Sequence, residues 1–118
     1  MEAKELRIGN WVTKKINSGI GLQHVHPIGW QDIVRVYEGS ELFEYEPIPL
    51  TEEWLLKAGA KKDNEYFEIN RFDISYMPID EKWLFTDFNF GYFYATIKYV
   101  HELQNLVFAL DKTELTFQ

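Results

Sequence analysis

Tyr66-Phe67-Glu68-Ile69-Asn70-Arg71-Phe72-Asp73-Ile74-Ser75-Tyr76 is the stretch that decides the fold. In an extended chain side chains alternate between faces, so Phe67 and Ile69 share one face, and Phe72, Ile74 and Tyr76 share a face after a two-residue break. Asn70-Arg71 between the two runs is a candidate hairpin turn. Trp83 to Phe85 and Phe93 to Tyr99 continue the pattern on either side of Phe88-Asn89-Phe90-Gly91. Twelve of the twenty aromatic residues lie between positions 66 and 99, which marks this antiparallel region as the core sheet.

Downstream, the period changes. Val100, Leu103, Val107 and Leu110 fall on one helical stripe, so His101 to Leu110 reads as a helix. Thr113 to Phe117 alternates again and is expected as a last edge strand. Upstream, Pro47 and Pro49 close an extended run because neither can donate to a sheet ladder. Thr51 is a suitable helix N-cap, and Leu50 with Leu55 occupies the positions of a hydrophobic staple. Glu52 and Glu53 in the first turn and Lys57 in the last match the helix dipole, and Gly59 suits the residue after the cap. A short helix from Glu52 to Ala58 follows, with Trp54, Leu55 and Ala58 facing inward.

The first fifty residues read as short strands joined by turns. Gly9-Asn10 leads a strand through Trp11 and Val12, and Asn17-Ser18-Gly19 is a turn cluster. Ile20 to His26 is a second strand, and Trp30 to Tyr37 with Ile33, Val34 and Val36 a third, broken by Glu38-Gly39-Ser40. Leu42 to Glu46 places Phe43 and Tyr45 on one face and Glu44 and Glu46 on the other. The expected fold is α+β and predominantly antiparallel. It has a small SH3-like curled N-terminal sheet, an aromatic-rich second sheet and two helices. A single domain is expected over 1–118, with subdomains 1–50 and 51–118 divided near Pro47 to Leu50.

Composition supports a packed chain. At 118 residues, 46% hydrophobic and 17% aromatic, the sequence is unlike a disordered one, which combines low hydrophobicity with high charge. Area scaling leaves roughly two-thirds of the surface buried, enough for a core without disulfides. Cysteine is absent, which removes disulfides and thiolate metal sites. No apolar run approaches the roughly 18 residues of a membrane span, and no basic start precedes an apolar segment, so a cytoplasmic location is expected.

Three phrases occur in order: Glu5-Leu6-Arg7-Ile8-Gly9-Asn10, then Pro47 to Lys57 (PIPLTEEWLLK), and Ile97 to Leu106 (IKYVHELQNL). Together they resemble a family of small proteins widespread in anaerobic gut bacteria, their prophages and mobile elements. Its members often carry a Gly-Glu turn after the last helix, where this chain reads Asp111-Lys112-Thr113-Glu114. The family brings no established activity and therefore no catalytic residue. The resemblance implies an accessory role in a phage or mobile element.

Several constellations have a chemical and a structural reading. His24-Val25-His26 sets two imidazoles on one strand face, two legs of a zinc site; no third ligand is evident, and an exposed pair beside Pro27 is the plainer account. Gly19-Ile20-Gly21 is a fragment of a dinucleotide loop, but His24 replaces the third glycine, and a turn is the better reading. No nucleophile elbow or P-loop is present. His101 with Glu102 at a helix start suits capping or a core hydrogen bond better than general-base chemistry. Gln104-Asn105 reads as a pair of amides bonded to an adjacent strand or loop.

Charge is more informative. The net charge is −7 with histidine neutral, against general phosphate-backbone binding. Residues 38 to 53 carry Glu38, Glu41, Glu44, Glu46, Glu52 and Glu53 with no Lys or Arg, so the imbalance is concentrated there. Glu44, Glu46, Glu52 and Glu53 are the candidate binding residues, offering a docking patch to a basic protein surface, with solvation as the alternative. Exposed aromatics of the 88–94 run would suit a homo-oligomer interface or base stacking. The expected function is a non-enzymatic protein-interaction module without cofactor or metal and without a membrane partner. A nucleic-acid-associated accessory role, by stacking or acidic DNA mimicry, is the second reading.

Overall fold

A computed structural model of the chain describes residues 6–16, 23–39, 43–87 and 93–118, the side chains of Ile16, Gln23 and Phe93 excepted. The expected turn at Asn17-Ser18-Gly19, the Gly19-Ile20-Gly21 fragment and the Phe88 to Gly91 stretch lie outside the described residues. The fold is α+β and predominantly antiparallel. Among the described residues, one sheet of three strands and one of five accompany three helices. The chain divides into two compact units. The first holds Met1–Ile48 with Tyr99–Leu106, the second Pro49–Lys98 with Val107–Gln118.

In the first unit, β1 (Trp11–Ile16) is central, with β2 (Gln23–Pro27) and β3 (Phe43–Pro47) antiparallel on its two edges. Register places Lys14 opposite both His24 and Tyr45, and Val12 opposite both His26 and Pro47, all on one face. Thr13, Lys15, Glu44 and Glu46 lie on the other. Between β2 and β3 runs α1 (Trp30–Glu38), where the alternation of β-branched residues suggested a third strand. The helix prevails because its ends are specified. Asp32 in the first turn accepts the backbone N–H of Gly29 at 2.9 Å, and Gly39 closes the helix in the left-handed region at φ 69°. Helical geometry then sends Ile33 and Val36 inward onto a core of Leu6, Val12, Ile28 and Tyr45.

Residues 99–106 join this unit through the first part of α3 (Val100–Asp111). Glu102 accepts the backbone N–H of Tyr99 at 3.0 Å and so caps the helix start, while His101 is buried and stacks on Tyr99 at 5.9 Å. Gln104 is almost wholly buried. Its Oε1 accepts from the backbone N–H of Trp11 at 2.8 Å and its Nε2 donates to the carbonyl of Gly9 at 3.0 Å. Asn105 Oδ1 accepts from Asn10 Nδ2 at 2.8 Å and from Arg7 Nε at 3.0 Å. The two amides therefore bond to the adjacent loop and strand, as expected of them.

In the second unit, α2 (Glu52–Lys57) follows its sequence signals closely: Thr51 Oγ1 accepts from the N–H of Trp54, and Leu50 and Leu55 are both buried. The sheet runs in chain order through β4 (Lys61–Asp63), β5 (Tyr66–Ile69), β6 (Phe72–Met77), β7 (Lys82–Asp87) and β8 (Phe93–Ile97). Ile69 pairs with Phe72 across Asn70-Arg71, so the hairpin is present, with Asn70 left-handed at φ 55°. Phe67, Ile74, Trp83 and Phe85 are buried on one face. Arg71 at the turn also reaches Asp87, fully buried, at 3.2 Å and Asp111 at 2.8 Å. A buried carboxylate left without its guanidinium costs several kcal/mol, so this hydrogen-bonded ion group pins the hairpin within the unit.

Two further expectations are corrected. β4 was not foreseen, because its residues Lys61, Lys62 and Asp63 are all exposed and carry no apolar alternation. Thr113 to Phe117 forms no strand. Lys112 turns the chain at φ 56°, Leu115 is buried, and Phe117 packs on Trp54 at 5.3 Å, so these alternating residues contact the unit through side chains.

Replacing Gln104 with Met keeps the volume but strands the N–H of Trp11 and the carbonyl of Gly9. A loss of about 3 kcal/mol is expected in urea unfolding, since each unmet buried group costs about 1–3 kcal/mol. On the outer sheet face Asp73 stands directly opposite Glu68, and burial, then Glu68 and Asp63, raise its pKa. A carboxyl with a raised folded pKa costs stability once ionised. Asp73→Asn should therefore stabilise the chain at pH 7 by about 0.5 kcal/mol, a gain that fades below the carboxylate range in thermal melts.

Candidate functional site

Asp32 organises the polar interior of the first unit. Its carboxylate accepts from the Gly29 N–H, from the Tyr45 hydroxyl at 2.7 Å and from Lys14 Nζ at 3.2 Å, with Arg35 at 3.5 Å. Each contact joins α1 to a different part of its surroundings: Gly29 to the helix start, Tyr45 to β3, Lys14 to β1. Lys14 Nζ lies 4.3 Å from the Phe43 ring centroid and the Arg35 guanidinium 4.5 Å from it, so both cations are held over one aromatic side chain.

The electrostatics of this cluster favour fixed protonation states. Burial pushes the Asp32 carboxyl up, but donation from Gly29, Tyr45 and Lys14 outweighs it and holds the pKa below the usual carboxylate value. Burial and the hydrogen bond to Asp32 push the Tyr45 phenol up to about 12, so it remains a donor at neutral pH. His26 Nε2 lies 3.9 Å from Asp32 Oδ2, is shielded from solvent and has no hydrogen-bond partner among the described residues. Burial lowers its pKa; Asp32 opposes this, and Lys14, His24 and Arg35 add to it. The group acts chemically as a clamp: one anion, two cations, a phenol donor and a neutral imidazole fix the roll of α1 about its axis.

That roll determines what the helix shows outward. Trp30, Val34 and Tyr37 recur at i, i+4 and i+7, and they are 65%, 43% and 83% exposed. Three large apolar side chains therefore form a ridge along a face that flanks the one Ile33 and Val36 bury. The strand expectation for Trp30 to Tyr37 concealed this ridge. The signals that reveal it are Asp32 three residues beyond Gly29 and Gly39 at the helix end.

The residues singled out from sequence are dispersed. Glu44 and Glu46 stand on the outward face of β3 in the first unit, and Glu52 and Glu53 open α2 in the second. Glu46 is bonded by Lys15 at 2.8 Å, Glu52 by Lys62 at 2.9 Å, and Glu53 by Lys57 at 3.5 Å. Glu44 is exposed and, after the dominant hydrogen bond and charge of Glu46, adds to the raised pKa of Lys15. His24 and His26 share a strand face with ring centroids 5.2 Å apart. Among the described residues, no group of three or more His, Asp or Glu side chains is placed to hold a metal ion. No helix among them is long and apolar enough to cross a membrane. Comparison with family models, curated proteins and solved structures finds no match to the chain.

The clamp makes a pH prediction with a definite sign. A histidine whose folded pKa is lowered lends stability above its unfolded pKa near 6.5, and that contribution is lost as pH falls through the folded value. Asp32, also lowered, loses its contribution only at more acidic pH, as pH falls from the ordinary carboxylate range through its folded pKa. The melting temperature should therefore drop between pH 7 and pH 5. In His26→Gln that part of the drop should vanish, leaving the loss at lower pH that Asp32 governs.

Proposed function

We propose that this chain is a non-enzymatic interaction module that binds a protein partner through the α1 ridge of Trp30, Val34 and Tyr37. The observation that carries the reading is the exposure of these three side chains along one helix face while the Asp32 cluster clamps the buried side. A convex ridge cannot enclose a small molecule; its complement is concave and of macromolecular size. Trp and Tyr at helical spacing are the anchors that protein grooves receive, each filling one pocket.

Charge selects the partner class. Arg35, the one Lys or Arg of α1, is engaged with Asp32 and Phe43, so the helix itself offers no free cation of the kind that phosphate backbones or anionic lipid would require. The complement is accordingly an apolar groove on a protein. An origin in a phage or mobile element, suggested by the resemblance of the three sequence phrases, fits a module whose task is to engage another protein. The acidic residues are secondary in this reading, since Glu46, Glu52 and Glu53 already hold lysines.

A photo-crosslinking residue in place of Tyr37 tests the proposal in cells that carry the gene. One partner protein should be captured from the Tyr37 position and not from a control probe at Tyr94, which is also exposed but lies on β8. Trp30→Ala should abolish that capture while leaving the circular dichroism unchanged. Crosslinks to a second copy of the chain, or equal capture from both positions, would overturn it.

A further inference from the structure

The second unit contains a cleft of about 470 Å³ beside the start of α2, over the inner face of the five-stranded sheet. Phe67, Tyr76 and Trp83 supply its aromatic lining, and Glu52, Glu65 and Lys62 its charged rim. Tyr76 pairs with Trp83 across β6 and β7, so both side chains point to the same sheet face. Trp83 is buried there, yet Tyr76 is 47% exposed. The cover over the sheet therefore ends between them, and the cleft is the uncovered end of an apolar face.

The lining is held in place. The Trp83 indole N–H donates to the carbonyl of Leu50 at 2.9 Å, which fixes the ring. Tyr76 lies 5.0 Å from it at 55° and Phe67 5.9 Å from it at 66°, so the three rings present non-parallel surfaces. Aromatic surfaces at an angle, with carboxylates at the rim, are suited to a cation that carries an apolar stem. The ring quadrupole and the carboxylate attract the charge, and the apolar wall covers the methylenes.

The cleft already receives such a group from its own chain. Lys62 Nζ is 2.9 Å from Glu52 Oε1 and 5.9 Å from the Phe67 ring centroid. Both partners of this ion pair remain about half exposed, so the contact is exchangeable. We infer that the cleft is a binding site for alkylammonium groups and that Lys62 is a tethered competitor for it. An incoming ammonium takes over Glu52, gains Glu65 at the rim, and lays its stem against Tyr76 and Trp83 while Lys62 swings into solvent. An anion would meet two carboxylates at the entrance. This inference is independent of the α1 ridge and concerns the other unit.

Nitrogen-15 NMR of the intact chain tests it, with the Trp83 indole N–H as reporter. The probes are n-pentylammonium chloride, a capped Gly-Lys-Gly peptide, and the neutral isostere 1-pentanol, all at constant ionic strength. The ammonium probes should shift the reporter saturably and the alcohol should bind more weakly. Stronger binding of the peptide would assign the site to protein lysines, and stronger binding of the free amine to small amines; either result supports the inference. Glu52→Gln should weaken ammonium binding by about fivefold, and Lys62→Met should tighten it by about threefold, as expected for partly exposed ion pairs. Tyr76→Ala separates this reading from a merely acidic surface, because loss of the ring should weaken ammonium binding only where the stem lies against it. No saturable shift, equal binding of the alcohol, or no tightening in Lys62→Met would overturn it.

Discussion

Two side-chain amides determine how the first unit is assembled. Gln104 and Asn105 are consecutive residues of one helix, and between them they satisfy backbone or side-chain groups of Arg7, Gly9, Asn10 and Trp11. Roughly ninety residues of chain separate the partners. The closure entropy of so long a loop rises only slowly with length, but it must be met by interactions that tolerate no substitute. A buried glutamine whose oxygen and nitrogen both have fixed backbone partners is such an interaction, because displacement leaves several polar groups dry. The loop it grips is itself hydrogen-bonded: Asn10 Oδ1 accepts the N–H of Arg7, and the Asn10 carbonyl accepts the N–H of Ile28, the first of two residues between β2 and α1. Position is thus handed from α3 to the loop, and from the loop to the start of α1.

From that start, Asp32 carries the constraint onward. An amphipathic helix with a wide apolar surface can settle in more than one rotation about its axis. Trp30, Val34 and Tyr37 form a second apolar set beside Ile33 and Val36, so hydrophobicity alone leaves the rotation under-specified. The carboxylate decides between them: in the observed rotation it accepts from Gly29, and from Tyr45 and Lys14 on the neighbouring strands. A buried charge left unpaired costs more than the exposure of two aromatic rings. The exposed ridge is thus a consequence of a buried ion group, and the two features stand or fall together.

How much of this could be read from the sequence depends on the range of the signals. The Phe67 to Tyr76 hairpin and α2 were legible because alternation, a turn of two residues, an N-cap and a staple all act within a few positions. The N-terminal strand run was legible in part: Phe43 and Tyr45 do face away from Glu44 and Glu46. Trp30 to Tyr37 misled because Ile33, Val34 and Val36 favour strands locally, while the capping role of Asp32 depends on a carboxylate that also answers to Tyr45 and Lys14. Gln104 and Asn105 were recognised as amides in need of partners, yet nothing local indicates that those partners are Gly9, Asn10 and Trp11. Arg71, Asp87 and Asp111 were unremarkable in sequence for the same reason: the ion group exists only after β6, β7 and α3 are in place.

The net charge of −7 follows the same logic. Along the chain, the acidic excess sits in residues 38 to 53 and resembles one patch. In space, Glu46 belongs to the first unit and is held by Lys15, whereas Glu52 and Glu53 belong to the second and are held by Lys62 and Lys57. Each lysine comes from outside the acidic stretch, so local neutralisation is invisible in a linear sum. Partly exposed pairs of this kind contribute little to stability, about 0–1 kcal/mol each. Their effect is on recognition: a partner attracted by these carboxylates must first displace a resident ammonium, and only where aromatic rings stand beside the pair does the site give anything in return. That condition is met at Glu52 and Lys62, next to Phe67, Tyr76 and Trp83.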